Sequence, residues 1–249
     1  MATDLKYIGI IPARYASSRF PGKPLADIKG KSMIRRVYEQ ASKALEAVFV
    51  ATDDQRIFDA VKAFGGRVVM TSPEHKSGTD RCTEAVVKAE IETGIHYDVV
   101  LNVQGDEPFI APEQLELVKS CFVEPDTQIA TLVKKITDES VLFDPNRPKV
   151  VVNAANEAIY FSRSTIPYVR NYESQNWLKH HTYYMHIGLY AFRRDVLPQI
   201  TSLPQSPLEL AESLEQLRWI ENRYRIAVRV TEHESFGVDT PEDLKKLNV

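Results

Sequence analysis

Cysteine is nearly absent, with Cys82 and Cys121 the two thiols in 249 residues. Two thiols cannot build a disulfide framework, and no Cys-x-x-Cys spacing is present, so they read as plain buried thiols in a reducing compartment. Long apolar runs are also missing. No stretch approaches the roughly 20 residues that a membrane-spanning helix needs, and Met1–Lys6 leads straight into a strand-like segment without the features of a secretory signal. The expectation is a cytoplasmic protein with no membrane insertion. Net charge is small too, with 31 basic and 34 acidic side chains, and at -3 it gives no general attraction to nucleic acid. An anionic ligand must therefore be held by locally clustered Lys and Arg. Neither Gly-x-x-x-x-Gly-Lys-Ser/Thr nor Gly-x-Gly-x-x-Gly occurs, which argues against a P-loop ATPase or an NAD enzyme. His180, His181 and His186 fall close together, but no spacing among the six histidines resembles a zinc site.

What is present is an ordinary globular composition, 43% hydrophobic and 26% charged. It suits one domain over 1–249 with an insertion at about 128–190. Tyr7–Ala13 is a short apolar run, followed over Lys31–Ala44 by Met33, Ile34, Val37 and Ala41 at helical spacing. Val48–Ala51 with Ile57, Ala60, Val61 and Phe64 repeats the pattern, and Arg67–Met70 opens a third unit with a helix over Thr83–Ala89. Three strand-helix units in succession predict a parallel sheet. Asp98–Gln104, the most continuously apolar strand, should be central. Past a helix at Pro112–Phe122, the strands Gln128–Val133, Lys149–Val152 and Ala158–Phe161 lack long crossovers and read as antiparallel. Ser162–His181 reads as a long polar and aromatic flap. Pro207–Asn222 predicts a helix, Arg225–Val230 a last strand and Pro241–Leu247 a closing helix.

Ligands of open α/β sheets sit beyond the carboxyl ends of the strands, so the loops after the first and fourth strands matter most. Arg14–Pro24 places three cations, two serine hydroxyls and a glycine within eleven residues. That set suits a triphosphate, with fixed cations to offset charge and small residues that admit backbone N–H groups. A solvated surface loop remains the alternative from this segment alone. After the fourth strand, Gln104-Gly105-Asp106-Glu107-Pro108 puts a carboxylate at the mouth of the proposed cleft, where it fits Mg²⁺ or equally a cap on the next segment. Asp239, in Gly237–Asp243, is a second strand-end carboxylate, but Asp239 or Thr240 with Pro241 also makes a good helix start. Ser77 and Asp80 serve as ordinary caps ahead of the third helix, with Arg81 able to reach a base edge.

Ile11-Pro12-Ala13-Arg14, Pro21-Gly22-Lys23-Pro24, Ser77-Gly78-Thr79-Asp80-Arg81, Asn102–Pro108 and Gly237–Asp243 together resemble the 3-deoxy-manno-octulosonate cytidylyltransferases, or CMP-Kdo synthetases, over nearly the whole chain. The resemblance implies a Rossmann-like nucleotide-diphospho-sugar transferase fold: a central, mostly parallel sheet flanked by helices, with a smaller antiparallel flap. It implies transfer of CMP from CTP to the anomeric hydroxyl of Kdo, giving CMP-Kdo and pyrophosphate for lipopolysaccharide synthesis. Arg14, Lys23, Asp106 and Asp239 are then the catalytic set, with Asp106 and Asp239 anchoring Mg²⁺. Pro12, Ala13, Ser77, Gly78, Arg81 and Gln104 join Arg14, Lys23 and Asp106 around the nucleotide. Gln104, Arg163, His186, Tyr190, Glu215 and Gln216 match the family's sugar positions, and the insertion matches its homodimer contact. Two rivals stand beside this reading: a cytidylyltransferase for another 2-keto sugar acid such as a sialic acid, and a module that binds CTP without turnover.

Overall fold

Five consecutive residues, Val48–Thr52, are buried, as are all four of Val99–Asn102. Strands covered on both faces read as unbroken apolar runs, the signature of a parallel sheet with helices on each side. The computed structural model describes residues 5–16, 20–234 and 236–247. In chain order the elements are β1 (Tyr7–Ala13), β2 (Asp27–Ile28), β3 (Lys31–Ser32), α1 (Met33–Ala41), β4 (Val48–Thr52), α2 (Gln55–Ala63), β5 (Val68–Met70), α3 (Gly78–Thr93), β6 (Val99–Asn102) and α4 (Pro112–Lys119). Then come β7 (Ile129–Lys135), α5 (Glu139–Leu142), β8 (Lys149–Val152), β9 (Ala158–Ser162), α6 (Trp177–His180) and β10 (Tyr184–Arg193). The chain closes with α7 (Val196–Thr201), α8 (Pro207–Glu212), α9 (Gln216–Glu221), β11 (Ile226–Val230) and α10 (Pro241–Leu247).

The chain divides into two compact units. The first comprises Met1–Glu116, Ala191–Thr201 and Ser235–Val249, and the second Leu117–Tyr190 and Ser202–Glu234. The insertion expected over about 128–190 falls in the second unit, which also takes in 117–127 and 202–234.

In the first unit the parallel order is β6-β1-β4-β5. The end of β10 lies beyond β6, where Arg194 N donates to Asp98 O at 2.9 Å. β6 therefore has a neighbour on each side, as its apolar run predicts. The helices press apolar stripes onto the sheet, Met33, Ile34, Val37 and Ala41 from α1 and Ile57 and Val61 from α2. In the second unit β7 pairs with β11 in parallel, whereas β8 runs antiparallel to both β9 and β10. The antiparallel expectation thus holds for β8 and β9; β7 is parallel to β11 but antiparallel to β10 on its other edge, where Ile136 N donates to Tyr183 O and Thr131 Oγ1 to Leu189 O.

Three helices differ from their sequence reading. α3, expected over Thr83–Ala89, spans Gly78–Thr93 behind its Ser77 cap. Lys31 and Ser32 form a strand paired with Asp27 and Ile28, because Lys29 and Gly30 adopt φ of 50° and 81° and close a two-residue hairpin. The helix expected over Pro207–Asn222 is two, separated at Ser213, whose φ of 51° and ψ of 49° is left-handed. The expected flap carries a turn of 3-10 helix at Ser174–Asn176 and the short α6.

Candidate active site

β1 ends at Ala13, and the next residue, Arg14, is exposed, its guanidinium making no ion pair with a described residue. The loop then returns on itself: Gly22 N donates to Tyr15 O at 2.9 Å, and the Arg56 guanidinium lies 3.3 Å over the Tyr15 ring. Gly22 has φ 72°, and a Cβ there would meet the Tyr15 ring at 3.1 Å, so glycine suits the turn on both counts. Lys23 begins a turn of 3-10 helix, Lys23–Leu25, closed by Leu25 N donating to Gly22 O at 2.9 Å. Its backbone is fixed while its side chain reaches inward. Ser17, Ser18 and Arg19, the rest of the expected phosphate loop, lie outside the described residues.

The turn after β6 passes close to β1. A Cβ on Gly105 would sit 2.7 Å from the Pro12 carbonyl oxygen, a contact that a side chain cannot make. Asp106 follows, and its carbonyl accepts a 2.9 Å hydrogen bond from Val238 N. Val238 is fully buried with Ile28 and Met33, which anchors the segment carrying Asp239. The helix start there is capped by Thr240, whose hydroxyl accepts from Asp243 N at 3.2 Å while the Asp243 carboxylate accepts from Thr240 N at 3.1 Å. Capping thus falls to Thr240, and Asp239 turns toward Lys23. Lys23 Nζ stands 2.6 Å from Asp106 Oδ2 and 3.6 Å from Asp239 Oδ1. Arg14, Lys23, Gln104, Asp106 and Asp239 line one cavity of about 560 Å³ with Pro12 and Ala13, within the size range of small-molecule sites.

Beside it, Ser77 caps α3 in a reciprocal box with Asp80. A Cβ on Gly78 would lie 3.5 Å from the Pro12 ring, so the first turn of α3 borders the end of β1. Arg81 is 1% exposed, and its guanidinium donates to Thr71 Oγ1 at 2.5 Å and to Asp53 Oδ2 at 2.9 Å. It is embedded in the strand ends. Asp53 and Thr71 were not singled out from the sequence, although each directly follows a strand and the strand-end rule would have found them. Asn102 was quoted only as part of a motif. It is buried, with Oδ1 lacking a hydrogen-bond partner among the described residues, an arrangement costing about 1–3 kcal/mol.

The second unit holds the remaining expected residues. Arg163 donates to three backbone carbonyls, Glu212 at 2.7 Å, Pro145 at 3.1 Å and Ser213 at 3.3 Å. Its guanidinium fixes the bend that precedes Glu215. His186 meets Thr131 Oγ1 at 3.1 Å, Phe161 edge-on at 5.2 Å and Tyr190 at 5.1 Å. Burial pushes its imidazole down to about 3, so the ring is neutral at physiological pH. Since the Thr131 hydroxyl donates to Leu189 O at 2.8 Å, the geometry assigns the proton of the 3.1 Å bond to His186 Nε2 and leaves Nδ1 as an acceptor. Burial and the nearby Glu215 carboxylate raise the Tyr190 phenol well above its ordinary value. Tyr190 also packs edge-on against Trp219 of α9 at 5.1 Å, joining His186 and Tyr190 to the helix of Gln216. Gln216 is buried, and its Nε2 lacks a partner among the described residues. Lys149 was missed: it is fully buried, with Nζ donating to Asp144 O at 2.8 Å and its pKa lowered by burial. A lysine opening the apolar strand Lys149–Val152 was the available signal.

Comparison with known proteins identifies the family. The cytidylyltransferase family model matches residues 8–226. The 3-deoxy-manno-octulosonate cytidylyltransferase of Parabacteroides distasonis is 63% identical over 97% of this chain and 96% of its own length. That of Phocaeicola vulgatus is 64% identical over 97% and 96%. The solved structure of a CMP:2-keto-3-deoxy-manno-octonic acid synthetase complexed with CTP superposes with a TM-score of 0.88 at 44% identity, covering 98% of this chain and 97% of that one. The 4-diphosphocytidyl-2C-methyl-D-erythritol synthase of Anaerococcus prevotii, 14% identical with a TM-score of 0.60 over 98% of this chain and 95% of its own, shares the fold alone. With the family model spanning most of the sequence and these relatives aligned nearly end to end, the chain belongs to the cytidylyltransferase family, among the 3-deoxy-manno-octulosonate cytidylyltransferases.

Proposed function

We propose that the chain transfers CMP from CTP to the anomeric hydroxyl of 3-deoxy-D-manno-octulosonate, releasing pyrophosphate. The observation that carries this reading is the cavity in which Lys23 meets Asp106 and Asp239 while Arg14 stands exposed beside them. Arg14 and Lys23 bind the triphosphate and align the α-phosphorus for attack. Gln104 contacts the ribose or the sugar, and Pro12, Ala13, Ser77 and Gly78 border the base. Arg81, committed to Asp53 and Thr71, supports that border from below. Transfer needs no covalent intermediate, so alignment and charge neutralisation carry the rate.

The donor set fits Mg²⁺. Asp106 and Asp239 already converge on one cationic point, the Lys23 ammonium, and Mg²⁺ takes one or two carboxylates with substrate phosphates and water. When bound it offsets charge on the reacting phosphate. For the sugar acid, neutral His186 accepts from a hydroxyl through Nδ1, Gln216 donates through Nε2, and Tyr190 and Glu215 add polar contacts. Arg163 holds the bend before Glu215 in place.

On the same reading the enzyme works in the cytoplasm for lipopolysaccharide synthesis, as a homodimer joined through about 128–190. No described helix is long and apolar enough to cross a membrane. The names of the relatives at 56–64% identity do not favour the sialic-acid or non-catalytic alternatives. The test is pyrophosphate release with CTP and Mg²⁺ across a panel of sugar acids. Kdo is expected to give the highest kcat/KM, and faster release with a sialic acid would overturn the substrate assignment. Light scattering tests the dimer.

A further inference from the structure

The position of Lys23 bears on how metal and nucleotide enter. Its ammonium lies where the Asp106 and Asp239 carboxylates converge, 2.6 and 3.6 Å away, and its side chain is 15% exposed against 32% and 50% for theirs. A Mg²⁺ ion bonds a carboxylate oxygen at about 2.1 Å. Held at that distance from Asp106 Oδ2, it would lie within about 5 Å of an ammonium that stays on the same oxygen, and two cations so close repel. The lysine backbone is pinned by the turn through Gly22 and Leu25, which leaves the flexible four-carbon stem as the part that moves. Arg14 lines the same cavity, so a triphosphate gathered there presents anionic oxygens able to draw Nζ off the carboxylates.

We propose that Lys23 is an internal counter-cation of the two carboxylates: it keeps a divalent ion off Asp106 and Asp239 until a nucleotide triphosphate takes its ammonium. Metal and nucleotide then bind as a coupled pair, each raising the affinity of the other by the same factor. This rests on the reading of the cavity as the CTP site.

Mn²⁺ serves as the probe, its free concentration followed by electron paramagnetic resonance with the full chain and no sugar acid present. Without nucleotide, Lys23→Met, which keeps the stem and removes the charge, is expected to bind Mn²⁺ about tenfold more tightly than wild type, within the usual range of such couplings. Adding CTP should tighten Mn²⁺ binding in wild type and change it far less in the variant. The double variant Lys23→Met with Asp106→Asn should lose the gain, which assigns the ion to this site. Lys23→Gln replaces the methionine variant if melting shows that the latter does not fold. Equal or weaker Mn²⁺ binding by the uncharged variants without nucleotide overturns the proposal. A wild type that fails to bind CTP, with the nucleotide-free comparison as expected, refutes instead the reading of the cavity and leaves the counter-cation role standing.

Discussion

Asp106 and Asp239 show what a single side chain's surroundings add to its identity. Asp106 follows the apolar run of β6, whereas Asp239, expected at a strand end, follows a polar stretch with no strand among the described residues between β11 and α10. Both precede helix-forming segments, so metal ligand and helix cap were competing readings of the same letters. The choice depends on a neighbour that spacing does not display: Thr240 takes the cap through Asp243, while the Val238 to Asp106 backbone bond sets the two acidic residues side by side. Arg14 and Lys23 were legible because a charge cluster after a strand is itself a local pattern. Asn102 and Lys149 were not, because an unpartnered amide and a buried ammonium are defined by what packs around them. On the proposed function, Asp106→Asn keeps volume and removes a charge that Mg²⁺ would require, so turnover is expected to fall on the order of 100-fold with an unchanged melting temperature. Near-normal pyrophosphate release at saturating Mg²⁺ would remove Asp106 from that role.

At the scale of elements, periodicity located α1, α2, β4 and β6 because each buries a stripe or a run that the local sequence carries by itself. It joined α8 to α9 because both faces continue the same helical spacing across Ser213, and the left-handed φ of one serine leaves no trace in hydrophobicity. A buried ion pair crosses that bend: Arg218 Nε and Nη2 donate to the two carboxylate oxygens of Glu209 at 2.9 and 2.7 Å, with both side chains under 10% exposed. Arg218→Met leaves the Glu209 carboxylate buried without its partner and is expected to cost about 3–5 kcal/mol, read as a lower urea midpoint. Glu209→Gln in the same background should recover part of the loss. If the single variant is as stable as wild type, the bend is held by apolar packing alone.

For the whole molecule, acid response follows from groups whose protonation differs between folded and unfolded chains. His186 titrates at about 3 when folded against an ordinary 6.5, so between those values the unfolded chain binds the extra proton. Stability is then full above pH 6.5 and declines as pH falls toward 3, by at most about 1.4 kcal/mol per pH unit. That slope is an upper bound, since His186 keeps some solvent contact. Glu84 acts lower: burial raises its pKa, but bonds from Lys88, Ser72 and His75 outweigh this and hold it at about 2, against 4.5. It contributes stability above pH 4.5 that is lost as pH falls toward 2. His186→Gln is expected to flatten urea midpoints between pH 6.5 and pH 4 and leave those above pH 7 parallel to wild type. An unchanged slope would show that the ring is freely protonated in the native state.

The backbone bond from Val238 to Asp106 also has a consequence for synthesis. The ribosome delivers Asp239 long after Arg14, Lys23 and Asp106, and domains generally fold from the amino end as they emerge. A nascent chain halted short of Val238 carries Arg14, Lys23 and Asp106 yet lacks Asp239. On the proposed function such a chain holds one carboxylate of the pair, and competence waits for the segment whose Val238 N bonds Asp106 O.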